Sequence, residues 1–290
     1  MKNITKYLIG AGALGAFAYL FIQNNIPVKS EYEINSKKLP KDFDGLKIAQ
    51  LSDIHSTKSA VLKNILLKQL RNEKPDYIFI TGDLVDARRM NIEDTFEFVE
   101  KLLKIAPVYY VVGNHESAMK RRFFFLQSLY DSGVKILNNK CEKINFKGID
   151  INIVGIEDPI KICGRTTDYQ DIIKETIDEI NFDKNNFTVL LSHRPEIIKI
   201  YNRCNIDLAF TGHAHGGQAR LPIGKFYDNS LQGWAGLYAP NQGKFPKFSG
   251  GLYKFLNTKM IVNRGIGNSS FPFRINNRPE LVICKIKGEV

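Results

Sequence analysis

The stretch Gly212-His213-Ala214-His215-Gly216-Gly217-Gln218 places two imidazoles one residue apart between glycines. In a strand or at a strand end, residues i and i+2 point to the same side, so both rings can face one point. Glycine adds no side-chain bulk and tolerates positive φ, so the backbone here can approach an ion or a phosphate closely. A lone His-x-His motif is weak evidence for a metal site. The other histidines of the chain strengthen it.

Each of the three remaining histidines comes just after an apolar run that is typical of a buried strand. The three segments are Leu51-Ser52-Asp53-Ile54-His55, Val112-Gly113-Asn114-His115-Glu116 and Leu190-Leu191-Ser192-His193-Arg194. A fourth run, Tyr77–Thr81, ends in Gly82-Asp83. Ligands of open α/β sheets bind at the carboxyl ends of strands. Five unrelated histidines are the alternative, but clustered His, Asp and Asn favour a metal site.

Five motifs occur in an order that resembles the sequence blocks of the calcineurin-like metallophosphoesterases. They are Asp53-x-His55, Gly82-Asp83, Gly113-Asn114-His115-Glu116, Ser192-His193 and Gly212-His213-Ala214-His215. The resemblance covers the chain from Leu46 to its end. Gly216-Gly217-Gln218, Leu221-Pro222 and Asn263–Gly267 are similar to the membrane- or wall-associated bacterial branch, the YkuE/YaeI-like proteins. The chain departs from the family pattern at Glu116, where Asp is commoner.

This resemblance implies an α/β (α+β) fold, a four-layer sandwich of two mixed β-sheets flanked by helices. The residue patterns agree, because strand and helix patterns alternate from Leu46 and imply right-handed parallel crossovers. We expect strands at 46–52, 77–81, 108–112, 135–137, 142–146, 151–154, 187–192, 207–211, 218–221, 251–255, 259–263 and 280–286. We expect helices at 60–73, 92–105, 121–132 and 168–180, preceded by an N-terminal hydrophobic helix.

Carboxylate, imidazole and amide oxygen suit borderline-to-hard divalent ions such as Mn²⁺, Fe²⁺ or Zn²⁺. These ligands are too many for one catalytic ion and fit two. The resemblance implies that Asp53, His55 and His215 bind the first ion, that Asn114, His193 and His213 bind the second, and that Asp83 bridges them. It also implies that a hydroxide shared by the ions attacks phosphorus in line, since bound water can have its pKa lowered to about 7.

His115 is next to the predicted ligand Asn114, and the resemblance implies that it is catalytic. It would protonate the leaving group or stabilise the transition state, and general acid catalysis typically contributes about 10²–10⁴-fold. The alternative is a histidine that only positions Asn114. We expect Glu116 to accept a hydrogen bond from His115 and hold its tautomer. Asp86 is another candidate for that partner and is more simply interpreted as a turn residue. Arg194 is next to the predicted ligand His193 and can pair a substrate phosphate, with a surface residue at a helix start as the alternative.

Residues 1–30 form a separate segment, a membrane anchor or signal segment with a linker, ahead of a phosphoesterase domain at 31–290. The uncharged run 7–22 is a little shorter than the ~20 residues that cross a bilayer. A cleavable signal peptide is the competing interpretation, because Ala16-Phe17-Ala18 has the A-x-A form. Lys2 and Lys6 before the run favour an extracytoplasmic domain at the cell membrane, while lysines after it leave a cytoplasmic face open. Residues 24–45 read as a connecting arm.

Two aromatic segments have both membrane and packing interpretations. Arg121-Arg122-Phe123-Phe124-Phe125 can meet anionic lipid or form the core face of a helix. Residues 232–238 contain the only tryptophan and can cap the site, dip toward a membrane or pack. The four cysteines lack C-x-x-C spacing and read as single thiols.

The predicted function is dinuclear, metal-dependent hydrolysis of a phosphodiester or pyrophosphate bond in a membrane- or envelope-associated substrate, of which a lipid-linked phosphoester is one form. The net charge of +11 indicates an acidic partner, with a merely basic surface as the alternative. A nucleotide or nucleic-acid phosphoesterase is favoured only by that charge, and the sequence has no recognisable nucleic-acid module. A non-catalytic metal-binding scaffold is the third reading, although no ligand is missing. The sequence predicts no oligomeric state.

Overall fold

Strand side chains alternate between two hydrophobic cores. In β3 (Tyr77–Thr81), Ile78 and Ile80 enter one core and Phe79 enters the other. Successive side chains of a strand point to opposite faces, so a strand that is apolar on both faces must be covered on both. The computed structural model describes residues 2–88, 91–160, 169–222, 235–268 and 271–289. It covers the sheet that contains β3 with a second sheet on one face and with helices on the other.

The first sheet has six strands in the order β1-β16-β2-β3-β4-β5. Apart from β3, they are β1 (Val28–Ser36), β2 (Asp44–Leu51), β4 (Val108–Val111), β5 (Lys135–Ile136) and β16 (Glu280–Gly288). Strands β2 to β5 are parallel, whereas β16 runs antiparallel to β2 and parallel to β1. The sheet is therefore mixed.

The second sheet also has six strands, in the order β14-β15-β9-β8-β7-β6. They are β6 (Lys140–Phe146), β7 (Ile149–Gly155), β8 (Phe187–Leu191), β9 (Leu208–Thr211), β14 (Gly251–Phe255) and β15 (Thr258–Val262). Its four central strands are parallel, and β6 and β14 pair with them as antiparallel edges. Phe79 and Phe210, with ring centroids 5.4 Å apart, meet in the core between the sheets.

Helices cover the two outer faces. The helices α2 (Ala60–Glu73), α3 (Ile92–Leu103) and α5 (Arg122–Asp131) pack on the first sheet, and α6 (Gln170–Glu179) and α7 (Ile198–Arg203) pack on the second. A single turn, α4 (Asn114–Ser117), follows β4. Two-residue strands complete the described part of the chain, namely β10 (Arg220–Leu221), β11 (Ala235–Gly236), β12 (Tyr238–Ala239) and β13 (Gly243–Lys244). The four-layer sandwich predicted from the sequence is confirmed.

Helix α3 shows why these segments are helical. Its buried residues Thr95, Phe98, Val99 and Leu102 recur at helical spacing and form one apolar face. The Asn91 side chain accepts a hydrogen bond from the backbone N–H of the first turn and caps the helix. This apolar face packs against the first sheet.

The N-terminal hydrophobic helix is present as α1 (Lys2–Asn25). Residues 4–19 of this helix are exposed, and within the described residues Ile4–Asn25 is one helix that is long and apolar enough to cross a membrane. The predicted arm at 24–45 was wrong, because residues 28–36 form β1 and pair with β16 over nine residues. That strand is the edge of the first sheet.

Other differences are local. The predicted strand at 218–221 is shorter and begins at Arg220, because Gln218 ends a short 3-10 helix over His215–Gly217. In the aromatic run of α5, Phe125 is buried, whereas Phe123 and Phe124 are exposed. Residues 232–234 and Cys163 lie outside the described residues, and the other three cysteines are free thiols.

Candidate metal centre

The carboxyl ends of strands from both sheets meet at one edge of the molecule. Strands β2, β3 and β4 of the first sheet and β8 and β9 of the second lead into the loops that carry all seven predicted ligands. His193, after β8, joins the sheets, because its Nδ1 lies 2.8 Å from the carbonyl oxygen of Thr81 at the end of β3. Residues more than a hundred positions apart are thus brought to one place.

One group of side chains contains Asp53, His55 and His215. The Nε2 atoms of the two histidines are 3.1 Å apart, and Asp53 Oδ1 lies 3.3 Å from His215 Nε2. All three side chains are buried. The backbone N–H of His213 donates to Asp53 Oδ2 at 3.0 Å, so the Gly212–Gln218 stretch orients the carboxylate.

A second group contains Asp83, His193 and His213, with Asn114 beside them. His193 Nε2 lies 3.1 Å from both Asn114 Oδ1 and His213 Nδ1, and 3.3 Å from Asp83 Oδ2. The same carboxylate oxygen of Asp83 is 3.7 Å from His55 Nε2 in the first group. Asp83 therefore lies between the two groups.

The spacing of these atoms fits two metal ions. Ligand atoms bound at about 2.0–2.2 Å to one ion, at angles of about 90–110°, lie about 2.8–3.6 Å apart. The separations of 3.1 and 3.3 Å within each group fall in this interval. The donors are imidazole nitrogen, carboxylate oxygen and amide oxygen, the set that borderline divalent ions prefer.

A hydrogen bond orients His193 as a ligand. Because the Thr81 carbonyl can only accept, His193 donates its Nδ1–H and turns Nε2 toward the centre. His213 Nε2 lies 3.0 Å from both Arg194 Nη1, a donor, and Asn241 Oδ1, an acceptor, so these two contacts orient the ring without selecting its tautomer. His213 Nδ1 lies on the side of the centre, 3.1 Å from His193 Nε2.

Burial and neighbouring charges set the protonation of the centre. Burial lowers the pKa of His55 and of His215 to about 3, so both are neutral at pH 7, as a ligand must be. Burial also disfavours charge on His193, but Asp83 outweighs it and raises the pKa of His193 to about 10. Burial opposes the charge of Asp83 as well, yet His193 and His55 hold its pKa well below the ordinary value. Asp83 and His193 therefore favour each other's charged forms.

The loops that carry the ligands have unusual backbone geometry. Five of the seven predicted ligands have positive φ, namely Asp53, His55, Asp83, His213 and His215. Such a conformation costs an L-residue about 1–2 kcal/mol and clusters at functional sites. Gly113 is needed for close approach, since a Cβ there would collide with the Asp83 carboxylate.

His115 lies at the mouth of the centre and is partnered by Asp86. His115 Nε2 is 4.0 Å from Asp83 Oδ2, and its side chain is 15 % exposed, whereas the other four histidines are buried. His115 Nδ1 is 3.3 Å from both Asp86 Oδ1 and the backbone nitrogen of Ala87. A protonated Nδ1 donates to Asp86, and an unprotonated Nδ1 accepts from Ala87, so both charge states of the ring have a partner.

The prediction that Glu116 holds the His115 tautomer was wrong. Asp86 fills both of its predicted roles, because it partners His115 and its Oδ1 also accepts from the backbone N–H of Arg88 at 2.9 Å within a turn. Glu116 Oε2 accepts from the backbone N–H groups of Asp83 and Gly113 at 3.0 and 2.9 Å, and Oε1 accepts from Val85 at 2.9 Å. Burial raises the pKa of Glu116 to about 7. Its role is to join the loops after β3 and β4.

Arg194 is buried, so the alternative interpretation of it as a surface residue was wrong. It forms a two-pronged ion pair with Asp158, with N–O distances of 2.5 and 3.0 Å, and donates to Asn241 Oδ1 at 2.5 Å. Asn241 in turn faces His213. Asp158, Arg194 and Asn241 therefore fix the imidazole of His213, and no local motif marks Asp158 or Asn241.

Comparison with known proteins agrees with this geometry. The calcineurin-like phosphoesterase family profile matches residues 46–217, which is more than half of the chain and includes every predicted ligand. This chain belongs to the calcineurin-like phosphoesterase family. Members of the family use a dinuclear metal centre, and the chain is a metal-dependent phosphoester hydrolase.

Relatives extend the match beyond the family segment. The uncharacterized metallophosphoesterase YkuE of Bacillus subtilis is 26% identical over 294 residues, covering 97% of this chain and 94% of that protein. A Danio rerio protein named "Transmembrane protein with metallophosphoesterase domain" is 25% identical over 274 residues. The aligned region covers 90% of this chain and 57% of that protein. The crystal structure of TT1561 from Thermus thermophilus has the same fold, with a TM-score of 0.50, 12% identity and coverage of 77% of this chain and 90% of its own.

Proposed function

We propose that this chain hydrolyses a phosphodiester or pyrophosphate bond in a membrane- or envelope-associated substrate, using two divalent ions. The observation that carries the proposal is the position of Asp83 between two groups of metal-ligand side chains. A carboxylate can bind two ions through its two oxygens, which a neutral imidazole cannot.

The proposed ligands follow the two groups. Asp53, His55 and His215 would hold the first ion, and a second set of Asn114, His193 and His213 would hold the other, with Asp83 shared. Mn²⁺, Fe²⁺ and Zn²⁺ all suit these donors. When bound, two such ions lower the pKa of water and offset charge on the phosphoryl oxygens.

His115 is proposed to protonate the leaving group. Its partial exposure and its 4.0 Å distance from Asp83 place it where a substrate oxygen can reach it. The transferred proton would lie on Nε2, which faces the centre, whereas Nδ1 keeps its proton and donates to Asp86 Oδ1. Asp86 therefore orients the ring and stabilises its charged form.

A membrane setting is proposed for the substrate because α1 is exposed and apolar over residues 4–19. A relative is also named a transmembrane protein. In this proposal residues 1–30 are an anchor or signal segment with linker, whose last three residues already begin β1, residues 31–290 are the phosphoesterase domain, and that domain faces the extracytoplasmic side. The net charge of +11 is complementary to anionic membrane or envelope phosphates.

The test uses the full chain in detergent micelles, stripped with chelator and reloaded with Mn²⁺. Hydrolysis of bis(p-nitrophenyl) phosphate is compared with that of p-nitrophenyl phosphate, for the wild-type chain and for Asp83→Asn. The control is Asp207→Asn, a carboxylate paired with Lys38 far from the centre. We expect metal-dependent cleavage of the diester, abolished in Asp83→Asn and retained in Asp207→Asn.

Two results would contradict the proposal. Absence of turnover with metal bound and the chain folded would favour the scaffold interpretation. Cleavage of single-stranded DNA or RNA in preference to small or lipid diesters would favour a nucleic-acid phosphoesterase.

A further inference from the structure

The last turns of α1 are attached to one segment of the phosphoesterase fold, residues 271–278. The Tyr19 hydroxyl donates to Asn276 Oδ1 at 2.9 Å. The backbone N–H of Arg274 donates to Asn24 Oδ1 at 3.0 Å, and that of Asn277 donates to Gln23 Oε1 at 3.1 Å. The polar end of the apolar helix is therefore held against this segment.

The same segment contacts the metal centre. Asn277 Nδ2 donates to the carbonyl oxygens of His215 and Gln218 at 2.7 and 3.0 Å. The buried Arg274 donates to the carbonyl oxygens of Arg264 and Gly267 at 2.9 and 2.6 Å, which fixes the segment to the loop before β16. A single residue, Asn277, thus links α1 and the loop that carries a predicted ligand.

Exposed apolar side chains surround this attachment. We call them the rim surface; its members are Leu221, Tyr238, Phe245, Phe271, Phe273 and Ile275, each 39–55 % exposed. They are joined through the backbone, because Arg220 N donates to the Ile275 carbonyl at 3.1 Å and Phe245 N donates to the Leu237 carbonyl at 2.9 Å. Exposed Lys244 and Lys247 lie on the same loop as Phe245.

Aromatic and aliphatic side chains mixed with lysines are typical of the headgroup region of a membrane. Because α1 is attached beside the rim surface, the bilayer is the partner that we assign to this surface. Tyr19 lies six residues before the end of the helix at Asn25, which corresponds to about 9 Å along the axis. If α1 enters a bilayer, a segment bonded to Tyr19 lies at its interface.

We propose that the rim surface lies in the headgroup–acyl boundary of the membrane that α1 enters, so that the metal centre opens onto the bilayer surface and takes phosphoester head groups of lipids. The proposal rests on the hydrolytic function and membrane anchoring proposed above. It adds the orientation of the domain and the source of the substrate.

The first arm of the test measures depth and needs no catalysis. Full-length Phe273→Trp is reconstituted in phosphatidylcholine–phosphatidylglycerol vesicles whose acyl chains are brominated or not, and the wild-type signal is subtracted. The matched control is Leu256→Trp, since Leu256 is 67 % exposed in the β14–β15 turn at the opposite end of the strands. We expect brominated acyl chains to quench the fluorescence of the tryptophan at position 273. The fluorescence of the tryptophan at position 256 should not change. Equal quenching at the two positions, or none at 273, would overturn the proposal.

The second arm measures turnover of a diacylglycerol p-nitrophenyl phosphodiester in vesicles against the soluble bis(p-nitrophenyl) phosphate. Phe271→Ser/Phe273→Ser is compared with Tyr130→Ser/Leu256→Ser, in which the replaced side chains are large and more exposed, at 67 % each. We expect kcat/KM on the vesicle substrate to fall about tenfold more than on the soluble ester in the first pair only. Equal losses on both substrates would contradict the proposal. Failure of the wild-type chain on both esters would overturn the hydrolytic function instead, with the depth measurement still deciding the orientation.

Discussion

At the residue scale, the least expected feature is the pairing of His115 with Asp86. The carboxylate Oδ1 and the Ala87 nitrogen are both 3.3 Å from His115 Nδ1, so the ring is oriented in both protonation states. The four proposed ligand histidines, in contrast, are buried. In the proposed function, the partly exposed histidine transfers a proton and the buried ones bind metal.

Replacing His115 by Ala is expected to lower kcat by about 10²–10⁴-fold, the usual contribution of a general acid. Metal content should not change, because His115 belongs to neither of the two proposed ligand sets, although its ring also lies in a third cluster of possible ligand atoms with His55 and Asp86. The check is steady-state hydrolysis of the diester together with metal analysis. A variant that loses its metal would show that His115 only supports Asn114.

Asp86→Asn is expected to lower kcat less than His115→Ala, because the ring remains but its charged form loses a partner. In the double variant the two losses should not add. Full additivity would mean that Asp86 acts elsewhere.

The residues at the ends of core strands were predictable from the sequence, because a buried strand delivers its last residue to the ligand-binding edge. All seven predicted ligands lie there. The set Asp158, Arg194 and Asn241 was not predictable. It joins three distant segments, and only the tertiary structure brings their charges together.

At the element scale, tight contacts between the loops after β3 and β4 shape the centre. Gly113, directly after β4, lies against Asp83, and Glu116 ties both loops together. Gly113→Ala is therefore expected to displace the Asp83 carboxylate and to lower metal occupancy and activity together. Metal analysis after dialysis measures the first effect, and diester turnover the second.

Gly148→Ala is the control for that variant. A Cβ added at position 148 would meet open space. Because the φ of Gly148 is 86°, the only destabilising effect of the alanine would be backbone strain. We expect a stability loss of about 1 kcal/mol with unchanged metal content. If both glycine variants kept their metal equally, the close approach at Gly113 would not matter.

Strand β1 and helix α7 were not predicted from the sequence, for different reasons. Strand β1 carries a period-two alternation, with Ile34 buried and its neighbours exposed, but its charged residues and proximity to the hydrophobic helix suggested an arm. Helix α7 has six residues, too few for a 3.6-residue period to show. The first was a detectable signal that was misread, whereas the second carries little local signal.

At the scale of the whole molecule, the buried histidines couple stability to pH. The folded pKa of about 3 for His55 and His215 lies below the unfolded value of about 6.5, so the unfolded chain binds more protons and stability falls as pH falls from about 6.5 toward 3. The raised pKa of His193 stabilises the fold below pH 6.5 and loses that effect as pH rises toward 10. Together these groups predict a stability maximum near pH 6.5 for the metal-free chain.

Metal binding should remove the alkaline decline, because an ion replaces the proton of His193 and does not leave as pH rises. Urea unfolding midpoints of chelated and Mn²⁺-loaded full-length protein between pH 5 and 9 would measure this. An alkaline decline of equal size in both forms would show that His193 is not a ligand.

The two sheets contribute unequal but complementary parts of the centre. Asp53, His55, Asp83 and Asn114 follow strands of the first sheet, and the remaining three ligands follow strands of the second. The core between the sheets, built around Phe79 and Phe210, therefore fixes the distance between ligands. Activity should be lost with the packing of that core, before the helices unfold.

The most direct test of the dinuclear centre is electron paramagnetic resonance of the full chain loaded with Mn²⁺, together with the metal-to-protein ratio. A carboxylate shared by two ions about 3.5–4 Å apart predicts two Mn²⁺ per chain and an exchange-coupled signal. Asp83→Asn should weaken or remove the coupling. A single ion per chain, or two ions with uncoupled signals in the wild-type protein, would contradict the assignment of Asp83 as the bridge.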